Sequence, residues 1–364
     1  MFVVNVDWFF MSHRLPIALE AMRQGYEVHI ATGITDQKEA MEKLGLIVHP
    51  IALDRGKANP YQTLRTFWQI FTVFKKTKPD IVHLVTIKPV LLGGIAARLA
   101  NIRGVVAAIS GLGYVFLDSG LLSRIRRSIV SNLYRFVFQQ PNIKVIFQNA
   151  DDLNELAKLT GLKTSQTVMI RGSGVDLNFF RHGPLPQGTP IVLMAARLLA
   201  DKGVREFVGA ARSLSGKARF CLVGDIDLAN PSSIKGDEIS KWVTEGVIEY
   251  WGQRDDMDKI LATAYIVVLP SYREGLPKIL LEAAAVGRPV VTTNVPGCRD
   301  AIEADSTGLL VPPRTVSPLA DAIEYLLTDK ARCAEFGNAA RALAEREFNI
   351  EKVVARHLNI YSHL

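Results

Sequence analysis

Short apolar runs alternate with helical patterns along nearly the whole chain. In the first half, residues 2–6, 27–31, 46–51, 81–85, 105–109, 144–147 and 167–170 have strand length and are bounded by turn residues. Between them, residues 12–23, 61–76 and 89–100 carry a helical period. A stretch rich in Gly and Pro follows, from Arg171 to Pro190. The alternation then restarts, with strands expected at 191–195, 219–223, 248–250, 265–269 and 289–292. Strands alternating with helices predict parallel sheets joined by helical crossovers. Two such runs with a flexible joint predict an α/β protein of two facing, Rossmann-like, doubly wound domains with a ligand cleft between them. The expected boundaries are 1–170, a linker at 171–189, a second domain at 190–345, and a closing helical segment at 346–364 that packs back toward the first domain.

The length of 364 residues is enough for a core in each domain. The three cysteines, Cys221, Cys298 and Cys333, are far apart and show neither metal-ligand nor disulfide spacing, which favours a reducing compartment. Residues 1–10 are apolar but contain Asp7 and lack a basic leader and a cleavage site, so a buried strand is expected there. No uninterrupted apolar run reaches the length of a membrane span.

Charge changes the picture more. Residues 1–170 hold 20 Lys/Arg against 12 Asp/Glu, a balance of +8, and the rest of the chain holds 23 against 24. Six cations, Arg55, Lys57, Arg65, Lys75, Lys76 and Lys78, lie between Asp54 and Asp80 without an anion, interleaved with Tyr61, Phe67, Trp68, Phe71 and Phe74. Arg124, Arg126, Arg127, Arg135 and Lys144 form a second such segment. Basic amphipathic helices of this kind suit an anionic membrane surface, or are solvated faces over a core-facing aromatic stripe. No nucleic-acid module accompanies the charge, so nucleic acid is not expected as a partner.

Candidate chemistry concentrates in Pro270-Ser-Tyr-Arg-Glu-Gly-Leu-Pro-Lys-Ile-Leu-Leu-Glu282. An apolar strand runs into a turn holding Glu274 and Gly275. A helix is expected to open near Leu276 with Pro277 in its first turn, which puts Glu282 about two turns inside. Helix-start N–H groups attract anions and a carboxylate attracts hydroxyls, a pairing that suits a sugar nucleotide. Alone, Glu274 reads as a helix cap and Glu282 as an ordinary helix residue, but the run Ala283–Val286 makes an unpaired Glu282 costly. Arg197 and Lys202 follow the first strand of the second domain and suit a diphosphate, or a plain surface loop capped by Asp201. Gly111 and Gly113 follow another strand. A dinucleotide fingerprint needs glycine at 116, where Phe116 stands, so a nicotinamide cofactor is not expected. Asp225 and Asp227 have metal-carboxylate spacing, a frequent and weak signal. No zinc spacing joins the histidines. His29, His49 and His83 are expected in structural positions, while His13 begins a helix and points to the cleft.

Taken together these residues resemble glycosyltransferase family 4, a retaining group with the GT-B fold. The resemblance rests on Arg197 with Lys202, on Glu274-Gly275 through Glu282, on Gly287-Arg-Pro-Val-Val and Gly308-Leu-Leu-Val-Pro. Within the family, Phe9-Phe-Met-Ser-His-Arg, Thr86-Ile-Lys-Pro and Gly111-Leu-Gly-Tyr-Val-Phe resemble bacterial surface-glycan enzymes that add N-acetylgalactosamine or related sugars to polyprenyl-diphosphate-linked acceptors. The resemblance implies transfer of a sugar from a UDP-sugar donor, with no cofactor and no metal. It implies that Arg197 and Lys202 hold the donor diphosphate, that Glu274 with the backbone at Gly275 and Leu276 binds the sugar, and that Glu282 binds the ribose. Pro277 and Arg254 complete the donor-binding candidates. His13, Lys88, Gly111 and Gly113 are the acceptor-side candidates. The implied partners are the nucleotide-sugar donor, a lipid-linked glycan acceptor and the membrane, with the protein peripheral on the inner face of the cytoplasmic membrane. The family's usual glycine pair is replaced by Phe10-Met11-Ser12, and its histidine before the central loop by Ser110-Gly111. A non-catalytic module of the same fold docking to membrane is the alternative; the intact set Arg197, Lys202, Glu274 and Glu282 argues for catalysis.

Overall fold

The computed structural model describes residues 1–364 apart from 54–58, 113–120, 228–229 and 231, and apart from the side chains of 121–126. The chain divides into two units, Met1–Ser173 with Glu351–Leu364, and Gly174–Ile350.

The first unit is built on a seven-stranded sheet. Its strands are β1 (Phe2–Val6), β2 (His29–Gly33), β3 (Ile47–Pro50), β4 (Ile81–Val85), β5 (Gly104–Ile109), β6 (Ile143–Phe147) and β7 (Thr167–Met169), in the order β3-β2-β1-β4-β5-β6-β7. The second unit holds β8 (Ile191–Ala195), β9 (Arg219–Val223), β10 (Glu249–Gly252), β11 (Ile266–Leu269), β12 (Val290–Thr293) and β13 (Gly308–Val311), in the order β10-β9-β8-β11-β12-β13. Every described strand pair in both sheets is parallel. Helical crossovers cover both faces of such sheets, which is why central strands read as unbroken apolar runs. All six residues of β5 and all five of β8 are buried. Strand order reverses between β1 and β4 in one sheet and between β8 and β11 in the other. A parallel sheet leaves a crevice at such a point, outside the carboxyl ends of the strands.

Several local expectations are corrected. The segment expected as one helix from 12 to 23 is two helices, Asp7–His13 and Leu15–Arg23. His13 therefore ends a helix instead of beginning one. The first helix starts directly after β1 because Asp7 anchors it. The Asp7 carboxylate accepts hydrogen bonds from the backbone N–H of Trp8 (2.9 Å), Thr35 (2.7 Å) and Gln37 (3.0 Å) and from the Thr35 hydroxyl (2.6 Å). Burial works against its charge, but these bonds outweigh it and hold the carboxyl below its ordinary pKa. Strand β13, not expected from the pattern, pairs with β12 from Val290↔Gly308 to Thr293↔Val311.

The helix Ile350–Tyr361 sends all but its first residue into the first unit. There the Tyr361 hydroxyl meets His83 Nδ1 at 2.5 Å, and the His83 ring stacks on Phe2 at 5.0 Å and on His357 at 5.6 Å. Burial first, then neighbouring positive groups, push the His83 pKa well below its ordinary value, and burial brings His357 to about 3. Both rings are therefore neutral parts of the core. The basic helix Pro60–Thr77 turns Thr66, Ile70 and Phe74 inward, while Tyr61, Leu64 and Trp68 are 74%, 56% and 55% exposed. The aromatic residues of this segment thus divide between core and solvent. In the second basic segment Arg127 pairs with Glu155 at 3.0 Å and Arg135 donates to the Leu159 carbonyl at 3.0 Å.

Candidate active site

The reversal between β8 and β11 brings together the loops that carry three of the residues expected to bind a donor. Arg197 and Lys202 lie in the connection after β8, and Glu274 in the connection after β11. Three glycines let these loops approach closely. A Cβ on Gly203 (φ +77) would meet the Pro270 carbonyl oxygen at 2.2 Å. One on Gly224 (φ +140) would meet the Ala196 carbonyl oxygen at 1.8 Å, and one on Gly297 (φ +81) would meet the Glu274 carbonyl oxygen at 2.5 Å. Side chains are excluded at all three, and the backbone conformation independently favours glycine. Backbone bonds from Tyr272 N–H to the Asp201 carbonyl (2.9 Å) and from Glu274 N–H to the Pro296 carbonyl (3.1 Å) complete the frame.

Within it, Lys202 Nζ forms an ion pair with Glu274 Oε1. The two side chains are only 16% and 12% exposed, so solvent screens the pair little. Arg197 turns elsewhere, to Asp227 at 3.1 Å. Among the described residues the two cations have no shared partner, and Asp227 is occupied as a counter-ion. Asp225 accepts from the Ile226 N–H at 2.8 Å. Among the described residues no group of three or more His, Cys, Asp or Glu is gathered to hold a metal ion. Asp201 does not cap the following helix, whose N-cap is Gly203; its carboxylate accepts from the Ser232 hydroxyl at 2.9 Å.

The helix after Glu274 runs Lys278–Val286, with Pro277 as its N-cap residue in extended conformation. Pro277 thus precedes the helix, Leu276 is a buried loop residue, and the helix start lies at Lys278. Glu282 is consequently one turn inside, not two. The Cβ direction of a helix makes positions 278 and 282 neighbours, and Lys278 Nζ lies 3.2 Å from Glu282 Oε1. Glu282 is 7% exposed, and burial raises its pKa, opposed by Lys278. Arg254 follows the edge strand β10, two strands from β8, and holds Asp256 with two bonds of 2.9 and 2.8 Å. Nothing described joins it to Lys202 or Glu274.

The described acceptor-side candidates follow β1, β4 and β5, at and beside the other reversal. His13 follows β1, stacks on Phe9 at 4.1 Å and meets the Ser12 hydroxyl at 2.5 Å. Lys88 is the second residue of the helix Ile87–Ala100 after β4. Gly111 follows β5 with φ +108. Gly113 lies outside the described residues. The Asn5 side-chain N–H donates to the Thr86 hydroxyl at 2.7 Å and ties the ends of β1 and β4 together.

Arg14, not singled out from the sequence except as the last residue of a motif, is 2% exposed beside these candidates. Its guanidinium donates to the His13 carbonyl at 2.9 Å and the Ser110 hydroxyl at 3.4 Å. The signal was an arginine between two apolar helical stretches, where a charged side chain has few routes to solvent.

Residues 189–329 match the family model of glycosyl transferases group 1, and residues 1–149 match that of glycosyl transferase 4-like proteins. The N,N'-diacetylbacillosaminyl-diphospho-undecaprenol alpha-1,3-N-acetylgalactosaminyltransferase of Campylobacter jejuni is 30% identical over 98% of this chain and 98% of that protein. The UDP-Gal:alpha-D-GlcNAc-diphosphoundecaprenol alpha-1,3-galactosyltransferase of Escherichia coli is 24% identical over 82% of this chain and 79% of that one. The solved structure of Anabaena Alr3699/HepE in complex with UDP and glucose shares the fold, with a TM-score of 0.80 at 19% identity, over 100% of this chain and 99% of that one. The chain belongs to glycosyltransferase family 4 and has its GT-B fold of two parallel-sheet α/β domains. It is a glycosyltransferase, and the reading as a non-catalytic module is not favoured.

Proposed function

We propose that the protein moves a sugar, an N-acetylhexosamine, from a UDP-sugar to a polyprenyl-diphosphate-linked glycan with retained anomeric configuration. The observation that carries this reading is the partly enclosed Lys202–Glu274 pair at the β8/β11 reversal, in the loop that leads into the helix carrying Glu282. A cation for phosphate and a carboxylate for hydroxyls stand side by side there, matching the two chemistries of a sugar nucleotide. The printed activities of the Campylobacter and Escherichia relatives supply the acceptor class.

In the proposed reaction the bond from the sugar C1 to the diphosphate oxygen breaks as the acceptor oxygen attacks from the same face. The departing phosphate takes the acceptor proton. Negative charge grows on that phosphate, where Lys202 and the helix start at Lys278 stabilise it, joined by Arg197 once it leaves Asp227. Glu274 accepts hydrogen bonds from the sugar hydroxyls and Glu282 from the ribose, and these protein cations do the work that a metal ion would otherwise do. His13, Lys88 and Gly111 serve the acceptor.

Residence on the inner face of the cytoplasmic membrane belongs to the same proposal. Among the described residues no helix is long and apolar enough to cross a membrane. The exposed Tyr61, Leu64 and Trp68, on a helix that also carries Arg65, Lys75 and Lys76, fit a surface attachment. The test is UDP release from a panel of UDP-sugars with a polyprenyl-diphosphate-linked sugar as acceptor. One UDP-sugar should support acceptor-dependent release. Absence of UDP binding and of release with every donor overturns the reading.

A further inference from the structure

Arg14 is a buried cation with few partners for its charge. Its side chain is buried between the helix Asp7–His13, the end of β5 and the C-terminal helix. A guanidinium has five N–H donors. Here one Nη donates to the His13 carbonyl and the other to the Ser110 hydroxyl, and Nε has no acceptor. Among the described residues Arg14 has no carboxylate partner, and its electrostatic neighbours are Tyr361, His83 and His357. Burial lowers its pKa only to about 10, so it is cationic at neutral pH.

Taking an ion out of water costs several kcal/mol, and an apolar side chain of similar size at such a site is often neutral or stabilising. Contrast Arg288, also buried, which donates to five backbone carbonyls (Leu261, Ala262, Gly183, Val286 and Gly287) and so ties helix ends and a loop together. Arg14 has no comparable set of acceptors. What it does have is a place at the end of the sheet, directly after His13 and bonded to Ser110, the residue before Gly111. Its field there is poorly screened, because the charge sits in protein rather than in water.

We propose that Arg14 is a positioning residue that makes the acceptor side of the first unit selective for a diphosphate-bearing acceptor, through its buried charge and its hold on Ser110 and the His13 backbone. The inference rests on the lipid-diphosphate acceptor reading given above and adds the residue that enforces it. Arg14 does not touch the acceptor. It biases the site toward an anion that Lys88, His13 and Gly111 meet directly.

The test compares two acceptors that carry the same sugar, one on a polyprenyl diphosphate and one on a neutral alkyl chain, using the full-length protein. Arg14→Met should raise KM for the diphosphate acceptor about tenfold, the order expected when a poorly screened unit charge beside an anion site is removed. KM for the neutral acceptor and the Kd for UDP should stay the same, and Tm should hold or rise. Arg14→Lys keeps the charge and should retain most of the preference, even if Arg14→Met expresses poorly. Equal loss on both acceptors, or a wild type that does not prefer the diphosphate acceptor, overturns the inference. Acceptor-independent hydrolysis of the UDP-sugar, measured in the same samples, reports separately on the glycosyltransferase reading.

Discussion

Replacing Lys202 by alanine has two effects on the donor site, and the structure separates them. The first is loss of a charge-assisted contact to the diphosphate, worth about 1.5–3 kcal/mol, or roughly 10- to 150-fold in Kd. The second arises because Lys202 is the ion-pair partner of Glu274, at 16% and 12% exposure. Without it the Glu274 carboxylate faces the phosphates uncompensated, which adds like-charge repulsion of about 1–2 kcal/mol. Isothermal titration with UDP at fixed ionic strength should therefore show Lys202→Ala weakened by roughly two to three orders of magnitude. Glu274→Gln in the Lys202→Ala background should recover the repulsive part, roughly 5- to 30-fold. Glu274→Gln alone should bind UDP at least as well as wild type, because it leaves Lys202 to the phosphate. Unchanged affinity in Lys202→Ala refutes the assignment of Lys202 to the diphosphate. A double variant no better than the single one refutes the competition between Glu274 and phosphate.

Glu274→Ala should abolish transfer while UDP still binds, whereas Glu282→Ala should weaken UDP itself; loss of UDP binding only in the Glu274 variant reverses the two roles. Because burial raises the Glu282 pKa, UDP affinity should decline as pH falls through the upper carboxylate range, and Glu282→Gln should flatten that decline in titrations at several pH values. Asp7 has its pKa lowered in the fold, so its contribution to stability is present above the ordinary carboxylate range and lost as pH falls through its folded value; Asp7→Asn should cost about 1–3 kcal/mol in urea denaturation at neutral pH and remove that part of the acid dependence. Transfer should survive excess chelator, and complete loss restored by magnesium or manganese would contradict the role given to Arg197 and Lys202. Flotation with anionic vesicles should exceed that with neutral ones and fall with salt; substituting Arg65, Lys75 and Lys76 by Ser should abolish the difference, and equal flotation with both vesicle types would argue against the surface model.

The sequence pattern exposed most of the fold because buried parallel strands are unbroken apolar runs. Residues 2–6, 81–85, 191–195 and 219–223 coincide with β1, β4, β8 and β9. Strand β13 escaped because its pairing with β12, from Val290↔Gly308 to Thr293↔Val311, is a tertiary fact. The helix Asp7–His13 escaped because its aromatic residues match a strand as well as a helix, and because Asp7 is held by Thr35 and Gln37 from far along the chain. At the site, residue types and spacing pointed to Lys202, Glu274 and Glu282, since each sits at a loop or helix start that the pattern locates. Their partners were not legible. The Lys202–Glu274 pair spans 72 positions and depends on Gly203 and Gly297 letting backbones touch. Pro277 was read into the helix because proline favours both the first helical turn and the position just before it, and only the backbone angles decide. The isolation of Arg254 from the other donor candidates follows from the place of β10 at the sheet edge, which strand order alone reveals.

The most direct measurement is proton NMR of the wild-type protein turning over an α-linked UDP-N-acetylhexosamine with a polyprenyl-diphosphate-linked sugar. The account predicts one UDP released per sugar transferred and an α-linked product from the first turnover onward. A β-linked product, or donor consumption that never yields a glycosylated acceptor, would contradict it.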